Sequence, residues 1–324
     1  MEIFLHLGAH RCANLTFHRF LAQNAAYLGK HAIAVWLPSR IRNGMMRGLT
    51  RAPQKISIED ERQAVRSIGR MRVELTRLER DGYRAVLISD PDLLGKLDEN
   101  ITATSLYPLL DERLMRLLPI FQNRSLRVGL SVRSYADFWA SSLARGIVQG
   151  RRAPTADCLD FLTTQPRRWR HVIGDVGAAF PHAQVLAWPF ERLAGQPERV
   201  LQTLCEMDLP ELDMSIERVG STSDIRELNR VMTNIGELPL VAGPVEKGAR
   251  WMPFGIEHQR VLRAEYRHDL AWLQGGAQGI ARYIDGRQMP ALPALKKGDT
   301  HNDAAVFDPM SGRGQTDGIK KRMG

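Results

Sequence analysis

The chain is 324 residues long and 44% apolar, and its 45 Lys and Arg against 36 Asp and Glu give a formal net charge of +9. That is enough apolar material for one large α/β domain or two small ones with a sizeable core. The three cysteines, Cys12, Cys158 and Cys205, make no CxxC pair and no metal-like spacing with histidine, which argues against a disulfide framework and against a zinc site.

The opening stretch Met1 to Gly8 is too short and too acidic at its start for a signal peptide, and no apolar run approaches the roughly 18 residues of a membrane span. The expectation is a cytoplasmic protein with no membrane span, its thiols kept reduced. The positive charge favours an anionic partner: a nucleotide, a phosphorylated or sulfated sugar, nucleic acid or an acidic membrane surface. The arginines look dispersed along the sequence, and no signature interleaves them with aromatics, so no dedicated nucleic-acid binding is expected.

Residues 2–8 read as a buried strand, and Asn14 to Ala26 carries Leu15, Phe17, Phe20 and Leu21 at helical spacing. Ala32 to Leu37 is a second apolar run, closed by Pro38. Arg40 to Lys55, basic and broken by Gly and Pro, reads as a mobile loop able to cover a site. Ser57 with Asp60 matches a capping box opening a charged helix from Ile58 to Arg80, which stops at Asp81-Gly82. Ala85 to Ser89 is a third strand, and its end at Asp90-Pro91-Asp92 is where open parallel sheets present polar groups to ligands.

The pattern continues with a helix at Asp111 to Phe121, a strand at Leu126 to Val132 and a helix at Tyr135 to Gln149. Helical spacing over 155–180, a strand at Gln184 to Trp188 and a Pro-started helix at Pro197 to Met207 follow. About five strands alternating with helices predict an α/β three-layer sandwich around a central, mainly parallel sheet. Beyond Pro210 only helices are evident, at Asp224 to Ile235 and Ile256 to Leu273. The expected division is one α/β domain over 1–290 and a flexible tail over 291–324.

The segment Gly8-Ala9-His10-Arg11-Cys12-Ala13-Asn14-Leu15-Thr16 joins a buried strand to a helix, so the first N–H groups of the helix point back over the strand end. The helix dipole adds partial positive charge there, Arg11 a full charge with bidentate reach, and Thr16 a hydroxyl donor. Together they fit a phosphate or sulfonate; on spacing alone an ordinary turn with a solvated arginine reads the same. The pattern GxxxxGK[ST] is absent, which gives a Walker-type ATPase or GTPase little support.

On these residues the chain resembles the sulfotransferases, in particular the bacterial branch whose first strand runs into Gly-x-His-Lys-Thr-Gly-Thr-Thr and a helix. The resemblance implies a P-loop NTPase-like, sulfotransferase topology. It also implies the donor 3′-phosphoadenosine 5′-phosphosulfate, its 5′ end wrapped by Arg11, Cys12, Ala13, Asn14, Leu15 and Thr16, with no metal required. A second element is Arg133 at a strand end with Ser141 eight residues later in the next helix, a pair that in the family holds the donor's 3′-phosphate. The helix folds back so that both can reach one phosphate. A third is Val185 to Leu193 followed by Gln196-Pro197-Glu198, like the family's strand, acidic turn and Pro-started helix. A fourth is Glu246 to Trp251, similar to a late Arg-Lys-Gly loop over the 3′-phosphate, in which Lys247 and Gly248 match and Arg250 stands in for the arginine.

Against the family pattern, Arg11 stands for lysine, Cys12, Asn14 and Leu15 for threonines, and Ala13 for glycine. Arginine keeps the charge but presents a planar fork, and alanine is costly if the position needs positive φ. The implied activity is sulfonate transfer to a hydroxyl acceptor, a carbohydrate or acidic glycan. The alternative is a non-catalytic nucleotide- or glycan-binding protein with a degenerate donor loop. A third class, phosphoryl transfer with Thr16 and Asp90 organising magnesium, leaves the spacing of Arg133 and Ser141 unexplained.

For the proton of the acceptor hydroxyl the candidates are Asp90, if burial or Asp92 raises its pKa, and His10. Asp90 is equally suited to capping the turn at Pro91. The basic stretches Arg40 to Arg51 and Arg145 to Arg152 are candidate acceptor walls or solvated faces. Trp139, Trp169, Trp188 and Trp251 are candidate sugar platforms or core.

Overall fold

The computed structural model of the chain describes residues 1–207, 209–215 and 223–286. Six strands form one sheet: β1 (Glu2–Gly8), β2 (Ile33–Trp36), β3 (Ala85–Ser89), β4 (Ser125–Val132), β5 (Gln184–Pro189) and β6 (Arg282–Tyr283). Their order is β2-β3-β1-β4-β5-β6, and each neighbouring pair runs parallel. The five strands expected from sequence are present; β6 adds a sixth that is only two residues long, too short to leave a periodic signal.

The alternation within β1 explains the layers. Ile3, Leu5 and Leu7 enter the larger core with Val86, Ile88, Val128 and Leu130, under helices that include Ile58–Arg80, Tyr135–Val148, Trp169–Ala179 and Ile256–Gln274. Phe4 turns to the opposite face and meets Phe17, Phe20, Leu201 and Leu204 from the helices Asn14–Gln23 and Pro197–Cys205. Both faces of the sheet are therefore covered, as an all-parallel sheet requires. Each such side chain, fully buried, contributes about 1.5–3 kcal/mol. Gly129 in β4 permits the close approach on one face: a Cβ there would lie 2.8 Å from the Trp188 ring and from Leu204.

Several boundaries differ from expectation for local reasons. The helix predicted from Asn14 is two, Asn14–Gln23 and Ala25–Lys30, divided at Asn24, whose side chain turns back to the Phe20 carbonyl. The stretch 155–180 divides into Ala156–Thr164 and Trp169–Ala179 around Pro166, and Asp111 to Phe121 becomes two short helices with Pro119 near the start of the second. A helix at Leu97–Ala103 was not anticipated.

Arg40 to Lys55 is not a loose loop. It folds into short turns over Pro38–Arg40, Ile41–Met45 and Pro53–Lys55, with Ile41, Met46 and Leu49 buried beneath them. The tail predicted over 291–324 lies outside the described residues.

The order of strands places the site. The crossover from β1 leads to β2 on one side of it, whereas β4 lies on the other, so the chain's direction of travel reverses at β1. A crevice opens over the carboxyl ends of strands at such a point, and the loop after Gly8 emerges into it.

Candidate functional site

The loop is built on three left-handed residues. Gly8 has φ +95°, and a Cβ there would approach the Pro91 Cβ at 3.2 Å and the Asn14 amide at 3.3 Å. Arg11 and Ala13 hold φ of 59° and 58° without glycine's freedom. Ala13 is the N-cap of the helix Asn14–Gln23 and offers no side-chain cap. The Asn14 amide donates to the Ala9 carbonyl at 2.7 Å, pinning the loop from within. Leu15 is 49% exposed and turned away, so its missing hydroxyl is lost from the surface. Thr16 is buried and lines, with His6, Cys12, Ala13 and Trp188, a cavity of about 30 Å3, room for about one water. Burial pushes the Cys12 thiol up to about 12, which keeps it neutral and inert.

Three guanidinium groups gather beside this loop. Arg11 donates from Nε to Ser141 Oγ at 2.8 Å. Arg133 donates from Nη1 to the Arg11 carbonyl, and its charge lies over the Phe190 ring, 4.7 Å from the centroid. The Trp169 indole fixes the Arg133 carbonyl at 2.7 Å. Arg133 Nε is buried with no hydrogen-bond partner among the described residues. Arg145 follows Ser141 by one helical turn, on the same face. Burial, then the charges of Arg133 and Arg145, pull Arg11 down to about 10, still cationic at neutral pH. Like charges concentrated at a helix start make a strong anion site.

Arg11, Arg133 and Ser141, named from sequence, are thus brought together across 130 residues of chain. Lys247, Gly248 and Arg250 stand with a different group. The Gly248 N–H donates to Asp224 Oδ2 at 3.2 Å, and Arg250 bridges to Asp224 through its backbone. Gly248 and Arg250 line, with Arg226 and Arg230, an open cleft of about 810 Å3. Glu191, from the acidic turn, accepts from the Ser134 N–H at 2.9 Å and the Tyr266 hydroxyl at 2.8 Å, and so ties β4 and β5 ends to the helix Ile256–Gln274.

Asp90 is 1% exposed and fully engaged. Arg42 grips both its oxygens, at 2.9 Å from Nε and 2.5 Å from Nη2, and the Asp92 N–H donates to Oδ1 at 3.0 Å. Asp90 caps the turn at Pro91, one of the two roles expected of it, and its carboxylate also holds the Arg42 guanidinium. His10 is likewise occupied. Its Nε2 lies 3.1 Å from Asp92 Oδ1 and its Nδ1 3.2 Å from the Tyr107 hydroxyl, which also accepts the His10 N–H at 2.9 Å. Burial alone would raise Asp92, but the His10 hydrogen bond and the Arg42 charge outweigh it and hold the carboxyl below its ordinary range.

A second titratable group was not read from sequence. The Ser89 hydroxyl bridges His6 Nδ1 at 2.8 Å and His18 Nε2 at 2.9 Å. Burial pulls His6 down to about 3, assisted by His18, and His18 itself to about 4. Both rings are neutral at ordinary pH, and one hydroxyl proton serves the pair. Tyr107 escaped notice, and Arg42 and Arg145 were read only as parts of basic stretches, because the contacts that matter cross the fold: Arg42 meets Asp90 48 residues away and Tyr107 meets His10 97 residues away. The four tryptophans are core, Trp139 and Trp169 at 0%, Trp188 at 1% and Trp251 at 8% exposure. Within the two basic stretches Arg40, Arg42 and Arg51 pair with Glu74, Asp90 and Asp60, and Arg151 and Arg152 with Asp98 and Glu237.

Fold and site together define a parallel α/β protein with a cluster of arginines at the switch point of its sheet. No family model, curated protein or solved structure matches the chain. Among the described residues no helix is long and apolar enough to cross a membrane, and no group of three or more His, Cys, Asp and Glu side chains is placed to hold a metal ion.

Proposed function

We propose that the site binds a phosphorylated nucleotide, and that the protein is a sulfotransferase-like enzyme using 3′-phosphoadenosine 5′-phosphosulfate as donor and a hydroxyl acceptor, a carbohydrate or acidic glycan, in the cytoplasm. One observation carries the reading: Arg11, Arg133 and Ser141, which the resemblance to the sulfotransferases singles out, meet at the loop after β1, with Arg11 Nε on Ser141 Oγ at 2.8 Å. The strand order, with β1 between β3 and β4, fits the P-loop-like topology that the resemblance implies. The residues suit the donor: the buried Nε of Arg133 is a donor awaiting an acceptor, and phosphate oxygens supply one.

In the proposed reaction the acceptor oxygen forms a bond to sulfur as the bond from sulfur to the 5′-phosphate oxygen breaks. The bisphosphate nucleotide leaves, and the acceptor proton passes to solvent. Arg11 and the first N–H groups of the helix neutralise the charge that develops on the transferring group. With Asp90 and His10 both engaged elsewhere, this electrostatic stabilisation is the main source of rate.

The non-catalytic reading is favoured by one observation of its own, the full engagement of Asp90 and His10. Calorimetric titration with 3′-phosphoadenosine 5′-phosphate separates the possibilities. Binding by the wild type that falls at least tenfold in both Arg11→Ala and Arg133→Ala supports the donor site; no binding by the wild type refutes it. Transfer of labelled sulfonate from the donor to water or to a glycan panel then distinguishes an enzyme from a binding protein.

A further inference from the structure

The arginines that look dispersed in sequence line up on one face of the helix Ile58–Arg80. Ala64, Ser67, Met71 and Leu75 turn its other side into the core. At 3.6 residues per turn the opposite side carries Ile58, Arg62, Val65, Arg66, Val73 and Arg80. Ile58 is 76% exposed, Val65 69% and Val73 70%, so three branched aliphatic side chains stand in water among arginines.

Four of the five acidic residues of the same helix do not neutralise this strip, because partners elsewhere in the fold draw them to its flanks. Glu61 pairs with Arg116 at 2.5 Å, Glu74 with Arg40 at 2.5 Å, Glu79 with Arg124, and Asp60 with Arg51 at 3.2 Å. The fifth, Glu59, pairs with Arg62 at 4.0 Å, both side chains solvent-exposed, a weak pair. What remains outward is a basic, partly apolar band roughly 33 Å long.

We infer that this helix face docks the protein on an anionic membrane surface, lying in the headgroup layer without spanning it. Such a surface accepts both kinds of side chain at once: acidic headgroups attract the arginines, and the boundary with the acyl chains takes the isoleucine and valines. A nucleic acid or sulfated polysaccharide would satisfy the arginines and leave the aliphatic residues wet, which is why the lipid surface is the better fit. The inference is independent of what the loop after β1 binds.

The test is co-sedimentation of the full chain with vesicles of phosphatidylcholine alone or mixed with phosphatidylglycerol, at low and at physiological salt. The wild type should pellet with the mixed vesicles only, and less at the higher salt. Arg66→Glu with Arg80→Glu should weaken partitioning at least roughly tenfold, and Val65→Ser with Val73→Ser about threefold with the salt dependence kept. Circular dichroism melting checks that each variant is folded, and Arg66→Gln with Arg80→Gln replaces the charge reversal if that one is not. Failure of the wild type to pellet with mixed vesicles overturns the proposal. So does a valine variant that binds like wild type, or vesicle binding abolished by duplex DNA that the valine variant binds undiminished.

Discussion

Replacing Ala13 by glycine is expected to stabilise the protein, because alanine is a poor N-cap and this one is left-handed. Ala13 sits at φ 58° and ψ 25°. A residue with a Cβ is about 1–2 kcal/mol worse than glycine in that conformation, and glycine's greater freedom in the unfolded chain returns about 0.4–1 kcal/mol of the advantage. No hydrogen bond changes, since Ala13 offers no side-chain cap. The expected net gain is about 0.5–1 kcal/mol. Urea unfolding followed by the fluorescence of the buried tryptophans should show a higher midpoint at unchanged slope. A loss of about 0.5–1 kcal/mol, the usual penalty of glycine for alanine in regular structure, would mean that position 13 is not left-handed and that the loop is not built as described. A second readout bears on function: the glycine variant should bind 3′-phosphoadenosine 5′-phosphate at least as tightly as wild type, because the change removes a methyl group beside the cradle.

Three further outcomes follow from the polar interior. Ser89→Ala should cost about 1–3 kcal/mol, because it strands ring nitrogens of His6 and His18 without a partner; thermal melts against wild type measure it. The histidines also set an acid limit: His6 is held at about 3 in the folded chain against an ordinary 6.5, so the unfolded chain binds more protons between those values. Stability is fully present above about pH 6.5 and drains away as pH falls, with His6 alone costing about 2 kcal/mol between pH 7 and 5. A His6→Gln variant should show a flatter profile in urea unfolding across that range. Last, Arg42→Ala should destabilise by about 3 kcal/mol, since it leaves the buried Asp90 carboxylate without its guanidinium. Asp90→Asn should cost less, because Arg42 is half-exposed and water can take over. Equal costs would contradict the assigned asymmetry.

Much of this molecule was legible residue by residue. β1 and β3 are short apolar runs with turn residues at their ends, and the Ser57 and Asp60 capping box is formed as its spacing predicts. Arg133 and Ser141 were named as a pair through the resemblance to the sulfotransferases, and a strand end followed by a helix is a spacing that lets both face one site. What went unread depends on contacts that no local rule encodes. Asp90 reads equally as a proton acceptor or a turn cap, and its ion pair is invisible until Arg42, from a stretch that looks like a loose loop, is folded against it. His6 and His18 carry no sequence signal as a pair, because Ser89, which lies between them, comes from another strand.

By itself the sequence determined where most chain segments would be strand or helix and that a strand would run into a helix through a loop carrying Arg11, because hydrophobic period and caps act over a few residues. Only the tertiary structure decided where the charges meet. Arg42, Glu61 and Glu74 are spent on partners brought from far along the chain, while Arg11, Arg133 and Arg145 are gathered at the switch point and Arg66 and Arg80 are left facing outward. Electrostatic pairing acts over a few ångströms in space, and spatial neighbours across a parallel sheet are separated by whole crossovers of sequence.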